Sequence, residues 1–511
     1  MNRMRVGTAR GVDGADLVAG VESRRVRYSP GGKPGRLGQV FTPMPVASLL
    51  AGMFEVPSGR VRVLDPGAGV GSLTAALVGR AAAEKWNVSL DVTAVEVDSG
   101  LLDPLESTLE ECRRALPSLT ARVASADFVE WGCAQIDDVL WNTGREWFDL
   151  AILNPPYAKL GIRSRETAAL TRLRIKARNL YVAFVTLSLR LLRPGGQLVA
   201  IIPRSFCNGP YFRAFRAELL DSAAVRRVHV FEARDQAFRD AGVLQENVIV
   251  HLVKEGRQGE VRITSSRGDG QGPVSTRSVS FADVVHPDDP DRFLRLVTNR
   301  AERHLADRVY SLPGDLESLG VSVSTGRVVD FRVRPYLRSQ PGEGTVPLIY
   351  PLHMRDGCVR WPVSASKKAN ALVVNDATRG LLLSSGNYVL VKRFSSKEQP
   401  RRIVASVLAA GDLPYETVAI ENHINVYHRD GASLTIDLAW GIATYLNSTI
   451  VDRFFRHFNG HTQVNATDLR SLRYPTTDQL TALGEDAVQM SHLQTEIDAT
   501  VFRHIRELAG S

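Results

Sequence analysis

An apolar run, Phe148-Asp-Leu-Ala-Ile-Leu153, leads straight into Asn154-Pro155-Pro156-Tyr157. These four residues suit one chemical problem. An amine conjugated to a heteroaromatic ring, such as the exocyclic amine of adenine, is a poor nucleophile because its lone pair is delocalised into the ring. Two acceptors aimed at its N–H groups draw the nitrogen towards a tetrahedral form. The Asn154 side-chain oxygen and the Pro155 carbonyl can supply them, and the prolines fix φ and hold that carbonyl in place. Preorganised groups of this kind often outweigh other catalytic effects, so no strong general base is needed before transfer. Tyr157 would stack on the flat face of the target. Taken alone, the tetrapeptide could also be a proline-bearing turn that leaves a strand.

Three features upstream give it company. In Val63-Leu-Asp-Pro-Gly-Ala-Gly-Val-Gly-Ser72 a strand runs into Asp65, then Gly67, Ala68, Gly69 and Gly71. Glycines let a backbone turn sharply and approach a ligand closely, and such loops sit where doubly wound sheets bind nucleotides. A dinucleotide fold would want GxGxxG. This loop is GxGxG after an acid, a spacing more like that of a methyltransferase. Glu96, ending the next strand in Ala94-Val-Glu-Val-Asp98, could accept hydrogen bonds from both hydroxyls of a ribose. NAD and S-adenosylmethionine both carry a ribose, so Glu96 does not separate them. After a third strand, Asp127 could accept from an adenine amino group while Phe128 packs on the ring.

These positions need a scaffold, and from about Gln39 to Glu255 the pattern alternates strand and helix. Apolar runs at 61–64, 91–95, 148–153, 197–202, 225–231 and 247–253 read as strands, with helices predicted over 72–83, 101–116 and 179–192. The alternation predicts a parallel, doubly wound α/β sheet. Residues 1–36, rich in Gly and Arg, read as a flexible basic arm, with a packed extension as the alternative. The turn-rich stretch 256–273 reads as a boundary. The catalytic domain would then span 37–256, and a second, α+β domain 274–511.

The 511 residues are 44% hydrophobic and 23% charged, ordinary for globular chains, which excludes a mainly disordered, collagen-like or coiled-coil protein. No apolar run is long enough for a membrane span, and the N-terminus has no apolar secretory core. Cys112, Cys133, Cys207 and Cys358 are far apart and form no CxxC pair, so neither structural zinc nor a disulfide framework is expected, and the cytoplasm is the default compartment. The whole chain carries +8, yet residues 321–410 alone hold 14 Lys and Arg against 5 Asp and Glu. That concentration points to a polyanionic partner for the second half.

With these motifs in this order, the chain resembles the gamma-class (TaqI-type) adenine-N6 DNA methyltransferases of bacterial restriction–modification systems. The resemblance is strong over about 38–255 and weaker beyond. It rests on Gly38-Gln-Val-Phe-Thr-Pro43, which looks like the first motif of that class, on the glycine loop, on Asn154 to Tyr157, and on Ala237-Phe238 to Val253. It implies a Rossmann-like class I S-adenosylmethionine-dependent domain with a C-terminal target-recognition domain. Thr42 and Pro43 would contact the methionine part of the cofactor, Asp65 to Gly71 its methionine and ribose portion, and Glu96 the ribose. Asp127 and Phe128 would hold the cofactor adenine. Phe238 would face Tyr157 across a base flipped out of the duplex, with Phe231 as its rival. Gly67-Ala68 departs from the Ala-Cys often found there.

Segments 323–337 and 391–402 interleave cations with aromatics and suit phosphate or guanine contacts. Arg327, Arg332, Arg334, Lys392, Arg393, Arg401 and Arg402 are the candidates. Phe454 and Phe455 are expected to pack rather than read bases, and His423, His457 and His461 lack metal-ligand spacing. No nuclease constellation is apparent, so a restriction partner would be a separate chain. A monomer, soluble and nucleoid-associated through duplex DNA, is the implied state. The alternatives are an N4-cytosine DNA methyltransferase, a glutamine or RNA methyltransferase using the same tetrapeptide, and a DNA-binding module with a vestigial fold. The basic C-terminal mass favours DNA, and the intact motifs speak against a vestigial site.

Overall fold

The structure, a computed structural model, describes residues 14–28, 40–141, 147–161, 163–208, 210–231, 247–266, 275–287, 289–296, 300–364, 367–395, 401–458, 463–490 and 493–508. It divides into two compact units. The first comprises Met1–Cys207 with Tyr211–Thr298, the second Asn208–Pro210 with Asn299–Ser511.

The first unit is built on nine strands: β1 (Gly59–Pro66), β2 (Val88–Glu96), β3 (Thr120–Ser125), β4 (Phe148–Leu153), β5 (Leu192–Pro203), β6 (Ala223–Phe231), β7 (Asn247–Lys254), β8 (Val261–Ser266) and β9 (Ser275–Val279). They lie in the order β3-β2-β1-β4-β5-β7-β6-β8-β9. The first five are parallel, with β1 paired to β2 from Gly59↔Val88 to Pro66↔Val95. Apart from the edge strand β3, which has no buried residue, their apolar runs are those of strands covered on both faces. The sheet is not wholly parallel, however: β7 inserts between β5 and β6 and runs against both. A run buried on both faces looks the same in either direction, so the reversal left no mark in the sequence.

Around the sheet lie α1 (Gly14–Tyr28), α2 (Met44–Gly52), α3 (Ser72–Ala83), α4 (Leu102–Ala115), α5 (Phe128–Trp141), α6 (Arg165–Arg172), α7 (Leu180–Leu191), α8 (Arg213–Ser222) and α9 (Phe281–Val284). One core joins α2 and α3 to one sheet face, and another joins α5 and α7 to the opposite face.

Two expectations about boundaries change. Within the predicted arm, residues 14–28 form α1, which packs on α3 and α4. Leu17 and Val21, one helical turn apart, are fully buried. Arg24 pairs with Glu111 and donates to Thr108 Oγ1 at 3.0 Å. The remainder of 1–36 lies outside the described residues. The proposed boundary at 256–273 also falls inside the first unit. There β8 pairs with β6 and β9 with β8, so those turns join strands of one sheet, and the division comes after residue 298.

The second unit begins with α10 (Arg300–Tyr310) and contains two sheets. Its strands are β10 (Ser322–Thr325), β11 (Leu337–Arg338), β12 (Thr345–Ile349), β13 (Met354–Arg355), β14 (Cys358–Val359), β15 (Ala371–Val373), β16 (Leu382–Ser384), β17 (Tyr388–Lys392), β18 (Ala405–Leu408), β19 (Thr417–Ile420) and β20 (Ile424–His428). One sheet runs β10-β20-β17-β18-β14-β13, the other β11-β15-β12-β19-β16. Helices follow: α11 (Ile436–Leu446), α12 (Thr449–Phe458), α13 (Ala466–Arg470), α14 (Thr477–Ala487) and α15 (Gln494–His504). This segregation of strands and helices is the α+β arrangement expected. Phe454 and Phe455 are buried.

Candidate cofactor and catalytic site

At the carboxyl ends of β1, β2 and β4 lies a cavity of about 360 Å³, within the range of small-molecule sites. Of the predicted residues, Thr42, Gly67, Ala68, Gly69, Glu96, Asp127, Phe128, Asn154 and Pro156 line it. Pro43, Asp65, Gly71, Pro155 and Tyr157 do not.

The glycine loop is sewn to the end of β2. The N–H groups of Gly67 and Ala68 both donate to the Val95 carbonyl, at 2.8 and 3.1 Å. Glu96, 3% exposed, holds the next turn. One carboxylate oxygen accepts from Gly69 N–H at 2.8 Å, and the other from the N–H groups of Val97 and Asp98 at 2.9 and 2.8 Å. Gly69 has φ +58, and a Cβ there would sit 3.2 Å from the Phe41 ring. A side chain is therefore disfavoured by both backbone and neighbour.

Asp65 lies beneath this loop. It is fully buried, and its Oδ2 accepts from Thr74 Oγ1 at 2.6 Å while Oδ1 has no hydrogen-bond partner. Burial pushes its carboxyl up to about 7; the bonds to Thr74 work against this and the charge of Glu96 adds to it. A group whose pKa rises on folding takes up a proton on folding, so its contribution is full below the ordinary value and lost as pH climbs to about 7. About three pH units at about 1.4 kcal/mol each make this about 4 kcal/mol at most. Denaturant titrations of the cofactor-free protein between pH 4 and 8 should show this decline, and Asp65→Asn should remove it. An unchanged slope in the variant would refute the assignment.

Asn154 stands at the end of β4. Its Nδ2 donates to the Val40 carbonyl and to Thr42 Oγ1, both at 2.9 Å. A carbonyl only accepts, so the amide must turn its nitrogen towards residues 40–42. Both N–H groups are thereby used, and the oxygen remains as the acceptor. Tyr157 is half-buried; its ring meets Tyr181 edge to face at 6.2 Å, and its hydroxyl is enclosed without a partner, which pushes the phenol far up. Phe231 is buried in the core against His229, so it is withdrawn as a base-stacking rival. Phe238 lies outside the described residues.

Comparison with known proteins decides the family. Residues 105–238 match the family described as Eco57I restriction-modification methylase. The chain is 42% identical over 471 residues to type II methyltransferase M.PstI of Providencia stuartii, covering 91% of this chain and 92% of that protein. It belongs to the type II methyltransferases. A second member, M.BsuBI of Bacillus subtilis, is 41% identical over 489 residues, 94% of this chain and 97% of that one. The fold resembles the type IIL restriction-modification enzyme MmeI, solved in complex with DNA, with a TM-score of 0.51 at 11% identity over 97% of this chain and 73% of that one. The first unit thus has the class I methyltransferase fold, and S-adenosylmethionine is the cofactor.

The cavity of this type II methyltransferase suits that molecule. It offers two carboxylates, Glu96 and Asp127, and among the described residues no Lys or Arg lines it, which matches a sulfonium better than a pyrophosphate. Asp127 caps α5, its Oδ1 accepting from the N–H groups of Val129 and Glu130 at 2.8 and 3.0 Å. Its other oxygen is the remaining acceptor. Phe128 packs on Phe184 with ring centres 4.7 Å apart, forming an apolar wall. Phe184 and Ser72 are among the lining residues that had not been singled out. Phe184 reads in sequence only as part of a buried helix. Ser72 has a buried Oγ without a hydrogen-bond partner, and its place after the last loop glycine was its only signal. Among the described residues no helix is long and apolar enough to cross a membrane.

In the second unit the seven candidate cations part company. Arg327, Arg332 and Arg334 are exposed. Lys392, Arg393 and Arg401 are half-buried, with Arg393 donating to the Asn422 carbonyl at 2.8 Å and Arg401 to the Asn447 carbonyl at 3.2 Å. Arg402 is a correction. It is 1% exposed, its guanidinium donates to Ser395 Oγ at 3.1 Å, and its backbone N–H donates to Asp452. It serves the interior and is withdrawn as a phosphate ligand.

Proposed function

We propose that this type II methyltransferase transfers a methyl group from S-adenosylmethionine to the N6 amine of an adenine flipped out of duplex DNA, as a gamma-class enzyme. What carries the proposal is the Asn154 amide, whose two N–H groups are bonded to Val40 and Thr42 so that its oxygen is left as acceptor at the strand end. S-adenosylmethionine supplies the electrophilic methyl. Glu96 accepts from the cofactor ribose, Asp127 from its adenine amine, and Phe128 packs on that ring; the glycine loop and Thr42 line the methionine side. Asn154 Oδ1 and the Pro155 carbonyl accept the two N–H groups of the target amine and localise its lone pair. The nitrogen turns acidic once methylated, so its proton can leave to water. Tyr157 and Phe238 stack on the flipped base, offsetting part of the few kcal/mol that unstacking costs.

The second unit is the DNA platform in this reading, with Arg327, Arg332, Arg334, Lys392, Arg393 and Arg401 the cations that remain. The physiological role is protection of host DNA from a cognate restriction endonuclease carried on a separate chain, by a cytoplasmic monomer. The M.PstI and M.BsuBI relatives, type II methyltransferases by name, support the restriction–modification setting. Adenine is favoured over cytosine because Asn154 to Tyr157 match the adenine-class tetrapeptide, whereas SPPY is commoner among N4-cytosine enzymes.

The test is to incubate the protein with unmethylated bacterial DNA and S-adenosylmethionine, digest the DNA to nucleosides and identify the product by mass spectrometry. N6-methyladenine is expected. N4-methylcytosine would overturn the base, and no methylated base would overturn DNA as substrate.

A further inference from the structure

The second unit holds a carboxylate with an unusual duty. Glu421, just after β19, has a fully buried side chain. One of its oxygens accepts the backbone N–H of His423 at 2.9 Å, and the other accepts from His423 Nδ1. Among the described residues no Lys or Arg pairs with it. Because Nδ1–H is spent on Glu421, it is the Nε2 edge that a partner would meet, and the His423 side chain is 46% exposed. Phe394, 44% exposed, backs the imidazole at 5.0 Å between ring centres.

Several cations lie on the neighbouring segments. Arg393 donates its backbone N–H to the His423 carbonyl and its guanidinium to the Asn422 carbonyl, both at 2.8 Å. The segment after β10 crosses directly over Glu421: a Cβ on Gly326 would lie 2.2 Å from the Glu421 carbonyl oxygen. That crossing leads to Phe331, which is 74% exposed, and to exposed Arg332. The acid near His423 on this segment, Asp330, is paired with Lys368 at 2.8 Å. A buried carboxylate is costly unless it is paired and fully hydrogen-bonded. Here the cost is met by an imidazole held outward beside the exposed Phe394 ring and on a backbone bonded to Arg393. Interleaving of this kind suits nucleic acid: cations meet phosphates and base edges, and aromatic rings stack.

We propose that His423, oriented by Glu421 and backed by Phe394, is a duplex-DNA contact through its Nε2 edge, which donates to a phosphate or base-edge acceptor when the ring carries both protons and accepts from a base amine when it carries only the Nδ1 proton. The proposal rests on the reading of duplex DNA as substrate. The experiment compares the full-length wild type with His423→Ala. The probes are one unmethylated duplex fragment that the wild type methylates and one that it does not. Cofactor affinity and melting temperature are measured alongside, so that loss of the fold is told apart from loss of a contact. The dissociation constant for the methylatable fragment should rise about 5- to 150-fold, the span of one good base-edge contact, with cofactor affinity and melting unchanged. A loss confined to that fragment identifies a base edge. An equal loss on both, with a salt slope smaller by about 1, identifies a phosphate. Wild-type binding by the variant would overturn the proposal while leaving DNA methylation standing. Failure of the wild type to bind or methylate any duplex DNA offered would overturn both.

Discussion

Replacing Asn154 by alanine should lower kcat by about 10²–10³, the effect of deleting one preorganised polar group at a reacting centre, and leave cofactor affinity unchanged. Among the described residues the side chain's hydrogen bonds in the cavity go to Val40 and Thr42, so its removal leaves the glycine loop and Glu96 as they are. Single-turnover kinetics beside calorimetric titration of S-adenosylmethionine would separate the two effects. A variant that turns over at the normal rate would refute the role given to the amide. Thr42 should show the same defect in smaller measure. Thr42→Val keeps the shape but removes the oxygen that accepts from Nδ2, so the amide loses one of its two fixings. One such bond is worth about 1 kcal/mol, hence about a fivefold fall in kcat, and Thr42→Ser should restore it.

Glu96→Ala should weaken cofactor binding steeply, with a dissociation constant raised by at least about 10². The carboxylate has two tasks. It accepts three backbone N–H groups that shape the loop, and in the proposed reading it also accepts from the cofactor. Hydrogen bonds to a charged group contribute about 1.5–3 kcal/mol each, so losing even one from the cofactor and one from the loop reaches that factor. Glu96→Gln should fare little better, since it replaces one acceptor oxygen by an N–H donor facing amides. Equilibrium dialysis with labelled S-adenosylmethionine would check both variants, and near-normal affinity in either would show that Glu96 shapes the loop without meeting the cofactor.

The parallel core and its motifs were legible because three of its strands, β1, β2 and β4, are apolar runs leading into a residue of distinct chemistry: Asp65, Glu96, Asn154. The helix over 72–83 is found as read, since its small and apolar residues admit little else. What escaped the reading depended on distant partners. Asp65 looks like a ligand until Thr74 is seen to hold it under the loop. Arg402 sits among other cations in sequence, and only Ser395 and Asp452 reveal it as interior. Residues 14–28 are dominated by arginines, which masked the spacing of Leu17 and Val21. The direction of β7 could not be read because neither face of that strand meets water.

The bonds from Asn154 to Val40 and Thr42 span 114 and 112 residues of chain. By contrast, Glu96 reaches Gly69 across 27. Closing a longer loop costs more chain entropy, and contacts distant in sequence form late. The two halves of this pocket therefore mature on different clocks. A nascent chain that has made only the first two strands already has the means to shape its glycine loop, but the amide has nothing to orient it until the fourth strand has emerged and residues 40–42 have folded back to meet it.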